Sequence, residues 1–269
     1  MNKIVPALML LMITSITFGQ KEVNASWKNY INPIFQGLDK AKVPHAILLD
    51  YAMEFANVQA YNGTLTDSTY VDMASLSNIY KTLYMGKVTN DTIYFPNIHH
   101  VAYNWITERI DQNTTSKNTL VITGLLYEYS IISPNALAQN KIIVNNNKYY
   151  DKYIHGTWQN PYLSQLAIAF SLPVTKYNKR DINLVLPLNL MLSNMALDIQ
   201  KIELNPNDGL GYRQINYNQN YAISYASNGT YDVVFKVTLT NNQILYSHTQ
   251  IEINQKFTSV KWEDRYGNP

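Results

Sequence analysis

An α+β region followed by an all-β sandwich is the fold class that this 269-residue sequence predicts. Three observations carry the prediction. From Tyr231 the chain alternates strictly, with Tyr231, Val233, Phe235, Val237 and Leu239 on one side and Thr230, Asp232, Val234, Lys236 and Thr238 on the other. Alternation of that length marks a strand with one face in a core. Two earlier stretches carry apolar residues at three- and four-residue steps, as amphipathic helices do. Between them and the C-terminus, short apolar runs recur at roughly 8–12-residue spacing, the pattern of a sandwich.

The first twenty residues set the expected compartment. Lys3 precedes an apolar run from Ile4 to Phe18, interrupted by Pro6, Thr14, Ser15 and Thr17. Thr17 and Gly19 put small residues at −3 and −1 of a cleavage site, leaving Gln20 as the first mature residue. Residues 1–19 therefore read as a secretory signal peptide, too short for a bilayer span of ~20 apolar residues. The expected location is secreted or cell surface, with no membrane span after cleavage. No Cys follows the run, which excludes a lipid-anchored lipoprotein cysteine, and the chain has Cys 0. Without disulfides it must hold together by burial, for which ~250 mature residues suffice.

Net charge is +2 and charged residues make up 15%, against the usual ~25%. With no basic run, the sequence offers no feature that favours nucleic acid or an anionic membrane as partner, and neither is expected. Polarity comes instead from Asn, Thr and Ser, together with Tyr 22.

Element by element, Val43-Pro44-His45 ends a first segment, because Pro disfavours helix at the residue before it. Ala46 to Met53 suits a buried strand or a helix start equally. Asn62-Gly63-Thr64 is a turn signal. Thr66, Asp67 or Ser68 can cap a helix carrying Met73, Leu76, Ile79, Tyr80 and Leu83 on one face, ending near Gly86. A second helix carries Ile98, Val101, Ala102, Trp105, Ile106 and Ile110. Thr119 to Ile132 turns to strand. Ile142-Ile143-Val144 and Lys148 to Tyr153 flank Asn145-Asn146-Asn147 as a hairpin, and His155-Gly156 marks the turn before Trp158. Further strands are expected at Leu166–Leu172 and Ile182–Leu192. Asn228-Gly229 is a tight-turn signal before the last long strand. The expected organisation is residues 20–165 as the α+β region, 166–255 as the sandwich, and 256–269 as a polar connector or truncated end.

The run Tyr225-x-x-x-Gly229-x-Tyr231-x-Val233-x-Phe235-x-Val237 resembles the polycystic kidney disease (PKD) repeat, an immunoglobulin-like sandwich frequent in bacterial exported proteins. Ile202 to Tyr212 sits where that family shows a strand ending in Asp-Phe-Gly-Asp-Gly. Only Asp208 and Gly209 of that ending are kept here, and the strand's Trp is missing, so a diverged member is implied. The resemblance covers the last third of the chain and implies an immunoglobulin-like sandwich there. The upstream part is similar to exported multidomain proteins of the Bacteroidota. Some sandwiches of this type bind calcium at loop carboxylates, but Asp208 has no acidic neighbour in sequence, and calcium takes six to eight oxygens.

No nucleophile elbow, zinc-protease helix, phosphate loop or dinucleotide fingerprint occurs, and nothing implies a cofactor or a metal. His99 and His100 diverge by about 100° on a helix and do not chelate one ion well. Asp50 and Glu54 would share a face only if their segment is helical. Glu128, between Tyr127 and Tyr129, is either a rim residue or a buried acid. Tyr149, Tyr150, Tyr153 and Trp158 form the candidate ligand-binding surface, since rings on a sheet stack against sugars or peptide side chains. Cross-strand packing is the competing role, because alternation sends Tyr149 and Tyr150 to opposite faces. Two functions follow. One is a secreted or surface module for binding, adhesion or domain spacing, with a glycan or another surface protein as partner. The other is the N-terminal part of a secreted hydrolase whose catalytic domain lies in residues 20–165 or beyond Pro269. Ligand identity and oligomeric state are not written in the sequence.

Overall fold

The structure is a computed structural model that describes residues 27–89, 95–115 and 118–255. The expected signal peptide and the polar connector lie outside these residues. A helical stretch at residues 27–31 and four short 3-10 turns between Lys40 and Tyr61 precede the α-helices α1 (Met73–Met85) and α2 (Ile98–Thr115). Strands follow: β1 (Thr119–Val121), β2 (Thr123–Ile132), β3 (Ile142–Asn145), β4 (Lys148–Asp151), β5 (Tyr153–Ile154), β6 (Thr157–Trp158) and β7 (Tyr162–Ser171). After these come β8 (Lys176–Tyr177), β9 (Asp181–Val185), β10 (Met191–Ser193), β11 (Ile199–Asn205), β12 (Arg213–Ile215), β13 (Tyr221–Ser224), β14 (Gly229–Leu239) and β15 (Ile244–Ile253). The chain is β-rich, an α+β region leading into a sandwich.

One layer of the sandwich is the five-stranded sheet β12-β11-β14-β15-β8. The opposing layer is built from two short sheets, β1-β9-β13 and β10-β2-β7. They are joined because β1 runs into β2 through Ile122, whose N–H donates to the Val185 carbonyl at 2.7 Å. Pro187 and a 3-10 turn at Leu188–Leu190 break the expected Ile182–Leu192 strand into β9 and β10. A proline cannot donate to a sheet ladder, so the break falls there. Phe170 and Phe235 meet across the two layers with ring centroids 4.6 Å apart and planes 11° from parallel.

β2 and β7 serve two cores at once. Leu126, Ile168 and Phe170 point into the sandwich. Leu125, Tyr127, Tyr129, Ala167 and Ala169 point the other way, against Leu76, Ile79, Tyr80 and Leu83 of α1. The residue 165/166 boundary thus falls inside β7, a strand with one face in each core. A third core holds Ile31, Phe35, Leu38, Val43, Leu48 and Tyr51 against Ile142 and Tyr162. It fastens the segment before α1 to the hairpins β3–β4 and β5–β6.

Local chemistry explains most boundaries. α1 is capped by Asp72, not by the earlier Thr66, Asp67 or Ser68, and the Asp72 carboxylate accepts the Ser75 N–H at 2.7 Å. Gly86 ends α1 with a negative φ, so its role is close approach: a Cβ there would lie 2.9 Å from the Leu48 carbonyl. The β3–β4 hairpin turns on Asn146 and Asn147, both at positive φ, and β5–β6 turns on His155 and Gly156 in the same way. Both hairpins follow the sequence expectation. Asn228-Gly229 does not, since neither residue takes a positive φ and Gly229 opens β14. β14 is also not the last long strand, because β15 pairs with it along its whole length. Asp208-Gly209 forms a turn, with Gly209 at φ 90° and the Asp208 carboxylate accepting the Leu210 N–H. The Ala46–Met53 segment is neither strand nor α-helix but a 3-10 turn at Leu49–Tyr51 flanked by single bridges to Lys87 and Ser130.

Candidate functional site

Of the four predicted aromatics, the hairpins pair Tyr153 with Trp158, pack Tyr149 against the third core and turn Tyr150 to the opposite face of β4. Tyr149 lies with its ring 5.1 Å from Phe35, half-buried against the third core, and its N–H donates to the Ile34 carbonyl at 2.9 Å. Packing is therefore its role. Tyr150, one residue on, takes the opposite face, pairs with Ile143 across the ladder and lies over Gly37. Tyr153 and Trp158 are direct cross-strand partners on β5–β6, Tyr153 exposed and Trp158 half-buried.

A polar frame fixes this pair. Trp158 donates its indole N–H to Asp151 Oδ1 at 2.9 Å, and Asp151 Oδ2 accepts the Asp39 N–H at 2.8 Å. Lys42 lies over both rings, its Nζ 4.8 Å from the Tyr153 centroid and 5.5 Å from that of Trp158. It also donates to the Tyr153 hydroxyl and pairs with Asp39 at 3.5 Å. The Tyr153 hydrogen bond holds the Lys42 ammonium above its ordinary range. Beneath, the Tyr162 hydroxyl is buried without a hydrogen-bond partner, and burial pushes its pKa up. The result is an amphipathic patch with one rigid aromatic pair, one cation and a carboxylate that cross-ties the two segments.

A second constellation escaped the sequence reading. His45 Nε2 lies 3.1 Å from Glu128 Oε1 and 3.2 Å from Ser164 Oγ. His45 and Ala46 both sit at positive φ, 59° and 58°. That conformation costs a non-glycine residue on the order of 1 kcal/mol or more and persists only where its surroundings impose it. Here Ser130 imposes it, donating its hydroxyl to the Pro44 carbonyl at 2.9 Å and its N–H to the Ile47 carbonyl at 2.9 Å. Glu128 is held by Asn194, which accepts its N–H at 2.9 Å and donates to its carbonyl at 2.8 Å. Glu128 is thus the rim residue of the two alternatives. Positions 45, 128 and 164 have no local spacing, so no sequence motif could expose them.

Serine, histidine and a carboxylate invite comparison with a hydrolytic triad, but the geometry differs in one decisive respect. In a triad the acid binds one ring nitrogen and the hydroxyl the other, leaving a base nitrogen to take the serine proton. In this site both partners face Nε2. An Nε2–H donated to Glu128 cannot accept a proton from Ser164, so the hydroxyl is not activated.

The remaining candidates are separate. Asp50 accepts the Ile132 N–H at 2.7 Å, and desolvation raises its carboxyl pKa, whereas Glu54 lies exposed outside any helix. The two do not form a pair. His99 and His100 follow one another on α2, with His100 exposed. Asp208 is tied to Arg213 at 2.5 Å. Among the described residues, no group of three or more His, Cys, Asp or Glu side chains is placed to hold a metal ion, and no helix is long and apolar enough to cross a membrane. No family model matches this chain, and no curated protein matches it in sequence.

Proposed function

We propose that this protein is an exported, non-catalytic binding module that recognises a glycan or an extended segment of another surface protein through the β3–β6 hairpins. The observation that carries the reading is the Tyr153–Trp158 cross-strand pair, held rigid by Asp151 and overlain by Lys42. Pre-ordered aromatic rings lose little entropy on binding and supply both apolar area and a polar tip. Export is supported by the N-terminal run from Lys3 to Gly19. A diverged PKD-like assignment for the sandwich is supported by the Tyr225 to Val237 spacing, whose Tyr225 is buried and donates its hydroxyl to the Pro206 carbonyl at 3.1 Å.

Glycan arrays and pull-downs from cell envelopes test the reading. Binding is expected to fall at least about tenfold, or 1.4 kcal/mol, in Tyr153→Ala, with the melting temperature held near wild type because the ring is exposed. Retention of all binding in Tyr153→Ala and Tyr150→Ala would refute it. The hydrolase alternative draws only on His45, Glu128 and Ser164. Turnover of a glycoside or ester that disappears in Ser164→Ala would favour that alternative.

A further inference from the structure

We infer that the cavity beside His45 is a second ligand site, one that takes a single ring of a neutral, hydroxyl-rich ligand, a saccharide being the natural class. The cavity measures about 420 Å³ and lies where β2, β7 and the β14–β15 turn converge, with Asn62, Glu128, Ser164, Gln165 and Asn241 on its wall. Its volume lies within the ~300–1,000 Å³ of small-molecule sites.

The hydrogen-bonding inventory selects the ligand. Four side-chain amides belong to the cavity wall, those of Asn62, Gln165, Asn241 and Gln243, and the first three have their oxygens engaged within the protein. Asn62 Oδ1 accepts the Thr64 N–H at 3.0 Å, Gln165 Oε1 accepts the Tyr129 hydroxyl at 3.3 Å, and Asn241 Oδ1 accepts the Gln243 N–H at 2.9 Å. The NH2 groups of Asn62 and Asn241 are left to donate to a ligand, whereas the Gln165 side chain lies on the Tyr129 face of the sheet, opposite Glu128. On the acceptor side, Glu128 spends Oε1 on His45 and keeps Oε2. A sugar hydroxyl is both donor and acceptor, so it can give its proton to Glu128 and take one from an amide at the same time. The charged hydrogen bond is the stronger of the two. Leu166 and Met195 add an apolar patch suited to the C–H face of a ring.

Charge narrows the class further. Glu128 repels a carboxylate or sulfate, and although its Oε2 attracts a cation, the amide N–H groups on the same wall disfavour one, whereas a hydroxyl uses both. Neutral polyols remain. The Glu128 carboxylate is pre-oriented through His45, whose imposed positive φ aims the imidazole at the cavity rim. Pre-orientation is what a weak-affinity site of this kind needs, since ordering costs are met before the ligand arrives.

This site is distinct from the hairpin surface and does not depend on it. The test is a titration of the whole chain with methyl glycosides of glucose, galactose and N-acetylglucosamine, followed by saturation-transfer NMR, with glucuronate as the charged control. At least one neutral glycoside is expected to bind in the millimolar range, weakening about tenfold in Glu128→Gln and about fivefold in Asn241→Ala. Tyr153→Ala is expected to leave this binding unchanged, which separates it from the hairpin reading. Backbone NMR spectra confirm that each variant is folded. The inference is overturned if no neutral glycoside binds, if glucuronate binds as well as they do, or if folded Glu128→Gln and Asn241→Ala both bind like wild type.

Discussion

The imidazole of His248 on β15 stacks on the ring of Tyr70, with centroids 3.8 Å apart and planes 16° from parallel. His248 Nε2 meets Thr69 Oγ1 at 3.2 Å, and the His248 carbonyl accepts the Val71 N–H at 2.8 Å. A single residue of the sandwich therefore clasps the loop that leads into α1. Burial lowers the pKa of His248 from its ordinary 6.5, opposed by the nearby carboxylates of Asp232 and Asp67. The sign follows directly. A group whose folded pKa is depressed binds fewer protons folded than unfolded, so its contribution is fully present above pH 6.5 and lost as pH falls through the folded pKa. Urea midpoints measured from pH 8 downward should fall below about pH 6.5. In His248→Gln that decline should be shallower.

Across the sandwich, Phe235 is fully buried and stacked on Phe170. Phe235→Ala should cost about 3–5 kcal/mol by loss of burial and creation of a cavity. A double-mutant cycle with Phe170→Leu should return a coupling of about 0.5–1.5 kcal/mol, the amount by which stacked rings exceed their buried area. Strict additivity in urea unfolding would show that the two layers do not meet through this pair.

Gly124 marks the closest packing in β2. A Cβ there would lie 2.5 Å from Phe170 Cε1 and 2.8 Å from Met191 Sδ, ring and thioether both confined by the core. Gly124→Ala should therefore destabilise by about 1–3 kcal/mol through overpacking, despite the higher strand propensity of alanine. An unchanged urea midpoint would mean that β10 can move aside without cost.

At the start of α1, Asp72 accepts the Ser75 N–H, and that bond lowers its carboxyl pKa below the usual 3.8. Asp72→Ala should lose about 1 kcal/mol at neutral pH. Because the folded pKa is depressed, the gain is present above pH 3.8 and vanishes as the carboxylate protonates. Wild type and variant should thus converge in stability in strong acid. A gap that persists there would assign the loss to something other than the cap.

Elements governed by local rules were legible in the sequence. β14 was read from its alternation, α1 and α2 from their stripes, and the hairpin turns from Asn146-Asn147 and His155-Gly156. β15 was missed because Ser247 and Thr249 interrupt its apolar alternation. Both are nevertheless buried, and Ser247 Oγ accepts the Phe170 N–H at 2.9 Å across the layers. The aromatic residues of the hairpins stood out by composition, and the sidedness of Tyr149 and Tyr150 by period-2 geometry. Which side faces the core was not, since that depends on Phe35 and Gly37 more than a hundred residues away.

By itself, then, the sequence determined α1, α2 and β14, how the two short hairpins turn, and a polarity carried by Asn, Thr and Ser with few charges. Those properties arise from dihedral preferences and from periodicities of a few residues. Only the tertiary structure decided that β2 and β7 face two cores, that His248 holds Tyr70, and that His45, Glu128 and Ser164 meet at one nitrogen. Such contacts join residues dozens to well over a hundred positions apart, and their energies depend on burial and geometry that exist only once the chain has closed upon itself.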